Sequence, residues 1–442
     1  MKSILILGAG RSSSALIDYV LARASENKWQ VTVGDVSIEA ARERIGQSPA
    51  GTAIAFDITQ EASKEVVNEH DVVISLIPAA LHPKVAKLCL QFSKHLLTAS
   101  YVSDEMKSFD EEAKKKGLLF LNECGLDPGI DHMSAMQVID NIRARGGEMI
   151  SFESFTGGLI APDTDPENPW RYKFTWNPRN VVMAGQGTAK FLQNGQYKFI
   201  PYQQLFRRVT PIHVPGYGDY EGYANRDSLK YRETYGLETV KTMLRGTLRN
   251  KGFCSAWDIL VQLGCADDTY QVDDVKRMTH NDFINAFLDF HPERTVEQKI
   301  IHRFDISADG PEMERLNWSG FFDNEPVGLV QGTPAQILEH ILNKRWKLSP
   351  HDKDLIVMWH RFGFLKDGNE KEIQASLVVE GENAVHTAMA KTVGLPIAIA
   401  AKLLIEGKIK QRGVVIPVMK EIYEPVLKEL GEVGVRLVER EL

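Results

Sequence analysis

Ile4-Leu5-Ile6-Leu7-Gly8-Ala9-Gly10-Arg11-Ser12-Ser13 decides how the rest of the chain reads. Apolar strand formers stop at a Gly-Ala-Gly turn and pass into an amphipathic pattern over 13–24, giving the order strand, glycine turn, helix. The turn fits G-x-G-x-x-G with Ser13 in the third glycine position, small enough for close helix–strand packing. Gly8 permits the tight turn and Gly10 lets a pyrophosphate approach the backbone, while the first N–H groups of the helix bind the phosphates.

The same alternation continues outward. Val31-Thr32-Val33, Ala53-Ile54-Ala55-Phe56, Val72 to Ile77, Leu96-Leu97-Thr98-Ala99 and Leu118-Leu119-Phe120-Leu121 read as buried strands, with helical patterns at 38–45, 79–92 and 104–116 between them. Short apolar strands alternating with helices predict βαβ units and a parallel sheet of dinucleotide-binding size. The strands end at Asp35, Asp57, Ser75, Ser100-Tyr101 and 123–127, the edge where ligands bind in such sheets. Asp35 suits both ribose hydroxyls and repels a 2′-phosphate, and Val36 follows it rather than Arg, so the reading favours NAD over NADP. Arg11 in the first loop is the one group that reaches toward a 2′-phosphate. Asp57 fits either an adenine contact or a turn.

The composition excludes several other classes. Among 442 residues, 52 Lys plus Arg against 59 Asp plus Glu gives a charge of −7, unlike a nucleic-acid binder. With 43% hydrophobic and 25% charged residues, the chain reads as folded and soluble, with no membrane partner. Cys89, Cys124, Cys254 and Cys265 are too scattered for a disulfide framework, no C-x-x-C pair marks zinc, and no metal is expected. The apolar opening is too short for a signal segment, and 393–405 holds Pro396 and Lys402. A reduced, cytoplasmic, multidomain protein is expected.

Asn122-Glu123-Cys124-Gly125-Leu126-Asp127-Pro128-Gly129-Ile130-Asp131-His132 is the most distinctive later passage. Asp127 before Pro128 fits a helix N-cap with proline at N1, and it equally fits a catalytic carboxylate. Residues 151–235 read as strands and long loops around a pocket. Helices are predicted at 237–248, 253–263, 272–290, 296–304 and 334–347, strands at 355–359 and 374–379, then helices at 387–405 and 417–430.

Taken together with Thr98-Ala99-Ser100-Tyr101-Val102-Ser103, Lys173-Phe174-Thr175-Trp176, Asn225-Arg226-Asp227-Ser228, Arg245-Gly246-Thr247-Leu248-Arg249 and Gly413-Val414-Val415-Ile416-Pro417, these motifs resemble the glutamate-forming branch of the saccharopine dehydrogenase/reductase family. The likeness runs nearly end to end. It implies an α/β fold with a Rossmann-type doubly wound parallel sheet (1–125 plus 395–442), an α/β substrate and dimerisation domain (126–235 plus 346–394), and a small all-α insertion (236–345). It also implies a homodimer and a reversible reaction: saccharopine, NAD(P)+ and water give glutamate and 2-aminoadipate 6-semialdehyde.

By matching positions, Ser100, Tyr101, Asp127, Arg226, Thr247, Leu248 and Arg249 line the substrate. Gly8, Ala9, Gly10, Arg11, Ser12, Asp35, Asp57, Ser75, Leu76, Ile77, Leu126, Pro128, Gly129, Ile130, Asp131, His132, Phe174, Thr175 and Trp176 line the cofactor. Thr156 stands where some relatives carry Cys, so no thiol is essential there. Saccharopine has three carboxylates, which suit Arg226 and Arg249 because guanidinium binds carboxylate through parallel hydrogen bonds. The amine must be neutral to lose hydride, and Asp127 and Tyr101 are the catalytic candidates beside it, with His132 second. Two other readings are an imine-reducing dehydrogenase of polyamine synthesis, against which the paired arginines speak, and a non-catalytic NAD-binding regulator.

Overall fold

The structure, a computed structural model, describes residues 2–442 and divides into two compact units. The first comprises Met1–Glu148, Lys366–Asn369 and Leu377–Glu439. In it β1 (Lys2–Leu7), β2 (Trp29–Asp35), β3 (Gly51–Ala55), β4 (Val72–Ser75), β5 (His95–Thr98) and β6 (Leu119–Leu121) pair in parallel. The strand Gly413–Val415 joins beyond β6, so the order is Gly413–Val415, β6, β5, β4, β1, β2, β3. The order of strand addition reverses between β1 and β4, the switch point at which doubly wound sheets open a ligand crevice. Ile4, Leu5, Ile6 and Leu7 are buried, which explains their uninterrupted apolar run: both faces of β1 are covered.

Helix Ala388–Ile405 is the one helix among the described residues long and apolar enough to cross a membrane, yet it is largely buried. It lies against helix Ser14–Asn27, where a side chain on Gly394 would meet Leu16. Helix Ile130–Ala144 also belongs to this unit, and Tyr423 Oη donates to Asp140 Oδ2 at 2.6 Å. The first unit therefore extends past the expected boundary at 125 and takes in residues 377–394, because these helices bury their apolar faces on it.

The second unit comprises Met149–Leu365, Glu370–Ser376 and Arg440–Leu442. It is built on β7 (Glu148–Ile160), β8 (Thr188–Gln193), β9 (Gln196–Pro201), β10 (Val209–Val214), β11 (Gly218–Ala224), β12 (Thr242–Asn250), β13 (Asp354–Lys366) and β14 (Asn369–Glu380). The sheet runs β10, β11, β12, β7, β13, β14 and Val438–Glu441, with the β8–β9 hairpin attached to β12. The helices Phe253–Leu263, His280–Asn285, Val296–Phe304, Pro311–Trp318 and Pro334–Trp346 belong to the same unit rather than to a separate helical one.

Here the helix predicted at 237–248 is corrected: Thr242–Asn250 is a strand. It lies between β11 and β7 and is buried on both faces, so it loses the alternation that marks a half-exposed strand. Gly246 leaves room for the Phe155 ring. The helix predicted at 272–290 shrinks to the turn Val275–Arg277 and His280–Asn285, and Pro311–Trp318 was not anticipated.

Candidate active site

The glycine turn has the form a nucleotide cradle requires. Gly8 has φ +102°, and a Cβ there would lie 3.0 Å from the Leu76 carbonyl, so a side chain is excluded twice. A Cβ on Gly10 would meet nothing within 4 Å, leaving its backbone open to a pyrophosphate. Ser13 Oγ donates to the Gly10 carbonyl at 2.8 Å and fixes the turn. Asp35 closes β2 and accepts from the Ala9 N–H (2.7 Å) and the Ser37 N–H (2.9 Å), joining the turn to the ribose-binding position. Arg44 donates to the Ala9 carbonyl at 3.3 Å, Arg11 is exposed, and Val36 is 78% exposed. These residues fit a dinucleotide. Asp57 accepts from both the N–H (2.9 Å) and the hydroxyl (2.8 Å) of Thr59, which hold its carboxyl below the usual range. Its geometry is that of a turn.

At the carboxyl ends of β5 and β6, Tyr101 Oη donates to Asp127 Oδ1 at 3.2 Å, and both residues are half-buried. Asp127 does not cap the helix. The helix starts at Ile130 with Gly129 in the cap position, and Asp131 accepts the Gly129 N–H at 2.6 Å. A Cβ on Gly129 would overlap the Gly125 backbone, and φ there is +147°. The Gly125–Gly129 turn thus needs these glycines, and it presents Asp127 ahead of the helix.

Behind this pair, Glu123 accepts the Val102 N–H at 3.0 Å and bonds His132 Nε2 at 2.8 Å, all in buried surroundings. His132, in the first turn of that helix, is therefore a buried partner of Glu123. Ile130, Asp131 and Leu126 are likewise buried, as is Ser75, whose hydroxyl bonds His82. Sequence reasoning passed over His82. It contacts Ser75 (2.9 Å), Thr98 (3.1 Å) and Ser100 (2.8 Å), partners far enough apart in the chain that no local spacing announces them.

In the second unit, β11, β12 and β7 set Tyr223, Thr247 and Thr156 side by side on one face, with Arg249 two residues beyond Thr247 on the same face. Arg249 is 4% exposed. Its Nη1 donates to the Leu248 carbonyl at 3.0 Å, its Nε has no partner, and no carboxylate pairs with it among the described residues. The guanidinium lies 5.0 Å from the Tyr172 ring and 5.3 Å from the Phe253 ring. The Thr156 and Thr175 hydroxyls are also buried without partners. Burying a guanidinium with no counter-ion costs several kcal/mol, a cost that an anion bound on this face would offset. Gly157 is required beside it, since a Cβ would strike the Leu248 carbonyl.

Three more of the expected site residues are placed as follows. Leu248 alternates to the opposite face and is buried, and Phe174 is a core residue packed on Trp346 with ring centroids 5.3 Å apart. Arg226 is exposed and takes a left-handed backbone (φ +53°), while its carbonyl accepts the Lys190 N–H at 2.8 Å.

The fold and the glycine turn define a Rossmann-type dinucleotide-binding protein with an appended α/β unit that carries a buried arginine without a carboxylate partner. Residues 4–121 match the saccharopine dehydrogenase NADP binding domain, and 125–435 match the saccharopine dehydrogenase C-terminal domain. The chain belongs to the saccharopine dehydrogenase family. It is 34% identical to the saccharopine dehydrogenase [NADP(+), L-glutamate-forming] of Schizosaccharomyces pombe, over 99% of both chains. It is also 34% identical to the mitochondrial alpha-aminoadipic semialdehyde synthase of Mus musculus over 98% of its own length, and it spans about half (47%) of that larger protein. The solved apo saccharopine dehydrogenase (L-Glu forming) of Saccharomyces cerevisiae matches over 100% of both chains with a TM-score of 0.88 and 31% identity.

Proposed function

We propose that this chain oxidises saccharopine with a nicotinamide nucleotide and water, giving glutamate and 2-aminoadipate 6-semialdehyde. The observation that carries the reading is Arg249, a buried guanidinium without a carboxylate partner. A substrate with three carboxylates supplies that counter-charge, whereas a polyamine lacks it. When bound, the nicotinamide accepts a hydride from the carbon next to the substrate nitrogen. The Gly8–Ser13 turn holds the pyrophosphate and Asp35 orients the ribose. Asp127, with Tyr101 donating to it, takes the ammonium proton and releases it to solvent, then takes a proton from the water that adds to the C=N bond and passes it to the departing nitrogen, while the remaining hydroxyl proton leaves with the amine as the aldehyde forms. Thr156, half of the unpartnered hydroxyl pair, orients the substrate with no thiol chemistry.

NAD is the preferred nucleotide in this proposal, although its relatives are named for NADP, because Asp35 and the exposed Val36 offer a 2′-phosphate no cation. The test is incubation of the protein with saccharopine and each nucleotide, with glutamate and the semialdehyde measured alongside nicotinamide reduction. Reduction without glutamate, or reduction with a polyamine substrate instead, refutes the proposal.

A further inference from the structure

His82 lies at the start of helix His82–Phe92, is 3% exposed, and sits at the carboxyl edge of the first sheet. Its Nδ1 meets Ser75 Oγ at 2.9 Å, and its Nε2 meets Ser100 Oγ at 2.8 Å and Thr98 Oγ1 at 3.1 Å. Thr98 Oγ1 also accepts the Ser100 N–H at 3.2 Å. Burial pushes the imidazole down to a pKa of about 4, so at neutral pH one ring nitrogen donates and the other accepts.

The two tautomers have opposite consequences for Ser100. With the proton on Nδ1, Ser75 accepts and the single lone pair of Nε2 draws in the hydroxyl proton of the nearer Ser100. Ser100 then presents only lone pairs to its half-exposed side. With the proton on Nε2, the buried Ser75 hydroxyl donates to Nδ1, while Ser100 accepts from His82 and keeps its own proton to give outward. The first tautomer leaves two buried hydroxyl protons without an acceptor, those of Ser75 and Thr98, and the second only that of Thr98, so the cluster itself favours the proton on Nε2. An anionic ligand adds to that preference, because only a hydroxyl that donates outward can bind a carboxylate.

We propose that His82 is a positioning residue: held as the Nε2–H tautomer between Ser75 and Ser100, it makes Ser100 a hydrogen-bond donor to a substrate carboxylate. The substrate half of this inference rests on the saccharopine reading above, whereas the tautomer half stands on the cluster alone. Nitrogen-15 spectra of histidine-labelled protein, with the His82 signal assigned by its loss in His82→Gln, are expected to show a protonated Nε2 and a bare Nδ1 at neutral pH. A protonated Nδ1 overturns the proposal whether or not saccharopine is the substrate.

Kinetics test the coupling to Ser100. The amide nitrogen of Gln reaches the place of Nε2, and that of Asn only the place of Nδ1. His82→Asn should therefore raise the saccharopine KM about tenfold to a hundredfold, the weight of one hydrogen bond to a charged group, while His82→Gln restores most of the affinity. In a Ser100→Ala background, His82→Asn should add nothing further. Equal losses in the Asn and Gln variants, or an undiminished loss without the Ser100 hydroxyl, would show that His82 merely supports the fold. If the unsubstituted protein does not oxidise saccharopine, the functional reading fails and the spectrum alone decides the tautomer.

Discussion

Asp127 stands three residues ahead of its helix, so its carboxylate serves no cap and accepts instead from the Tyr101 hydroxyl. Asp127→Asn keeps an acceptor for Tyr101 but removes the base. The expected result is a kcat lower by roughly 10²–10⁴-fold with an unchanged unfolding midpoint, and one limb of the pH profile of kcat/KM is lost. Near-normal turnover in this variant would assign the proton transfer elsewhere. His82 gives a second prediction at the same scale, this one on stability. Its folded pKa is depressed from 6.5 to about 4, so the unfolded chain binds its proton first as pH falls. Stability is full above pH 6.5 and is lost progressively down to pH 4, by about 3 kcal/mol in total. Urea unfolding at pH 7.5 and 5 should show about 2 kcal/mol of that loss, and a smaller one in His82→Gln. Half-buried His95, also pushed down to about 4, adds to the slope.

At the scale of elements, local pattern reported the nucleotide-binding strands well because β1, β4, β5 and β6 are largely buried on both faces and read as apolar runs. The strand ends carrying Asp35, Ser100, Tyr101 and Asp127 were legible for the same reason. Thr242–Asn250 was not, since Met243, Leu244 and Leu248 fall at spacings a helix also gives, and only the neighbours β11 and β7 make it a strand. The unpaired charge of Arg249 was equally hidden, because a missing partner is a property of the folded unit. The Gly125–Gly129 turn shows what a short element must satisfy: Gly129 is closed to any side chain by both φ and the Gly125 backbone. Gly129→Ala should cost about 3 kcal/mol or more, read from the urea midpoint, and should lower kcat by displacing Asp127. An alanine variant as stable and active as the parent would mean that the turn adapts freely.

On the scale of the whole molecule, one unit carries the glycine turn and the Tyr101–Asp127 pair, and the other carries the buried Arg249. The units were harder to delimit than the motifs, because residues 377–439 return to the first unit across a long stretch of chain. Nucleotide choice belongs to the first unit. Asp35→Ala combined with Val36→Arg should move selectivity from NAD toward NADP, measured as the ratio of kcat/KM for the two; a parent protein already favouring NADP tenfold would contradict the role given to Asp35. Substrate choice belongs to the second unit, and Arg249 tests it most directly. If its buried guanidinium takes a saccharopine carboxylate, Arg249→Ala forfeits roughly 2–5 kcal/mol of binding, and the saccharopine KM rises by orders of magnitude while the nucleotide KM and the unfolding midpoint stay close to those of the parent. An Arg249→Ala enzyme with an unchanged saccharopine KM would contradict the account.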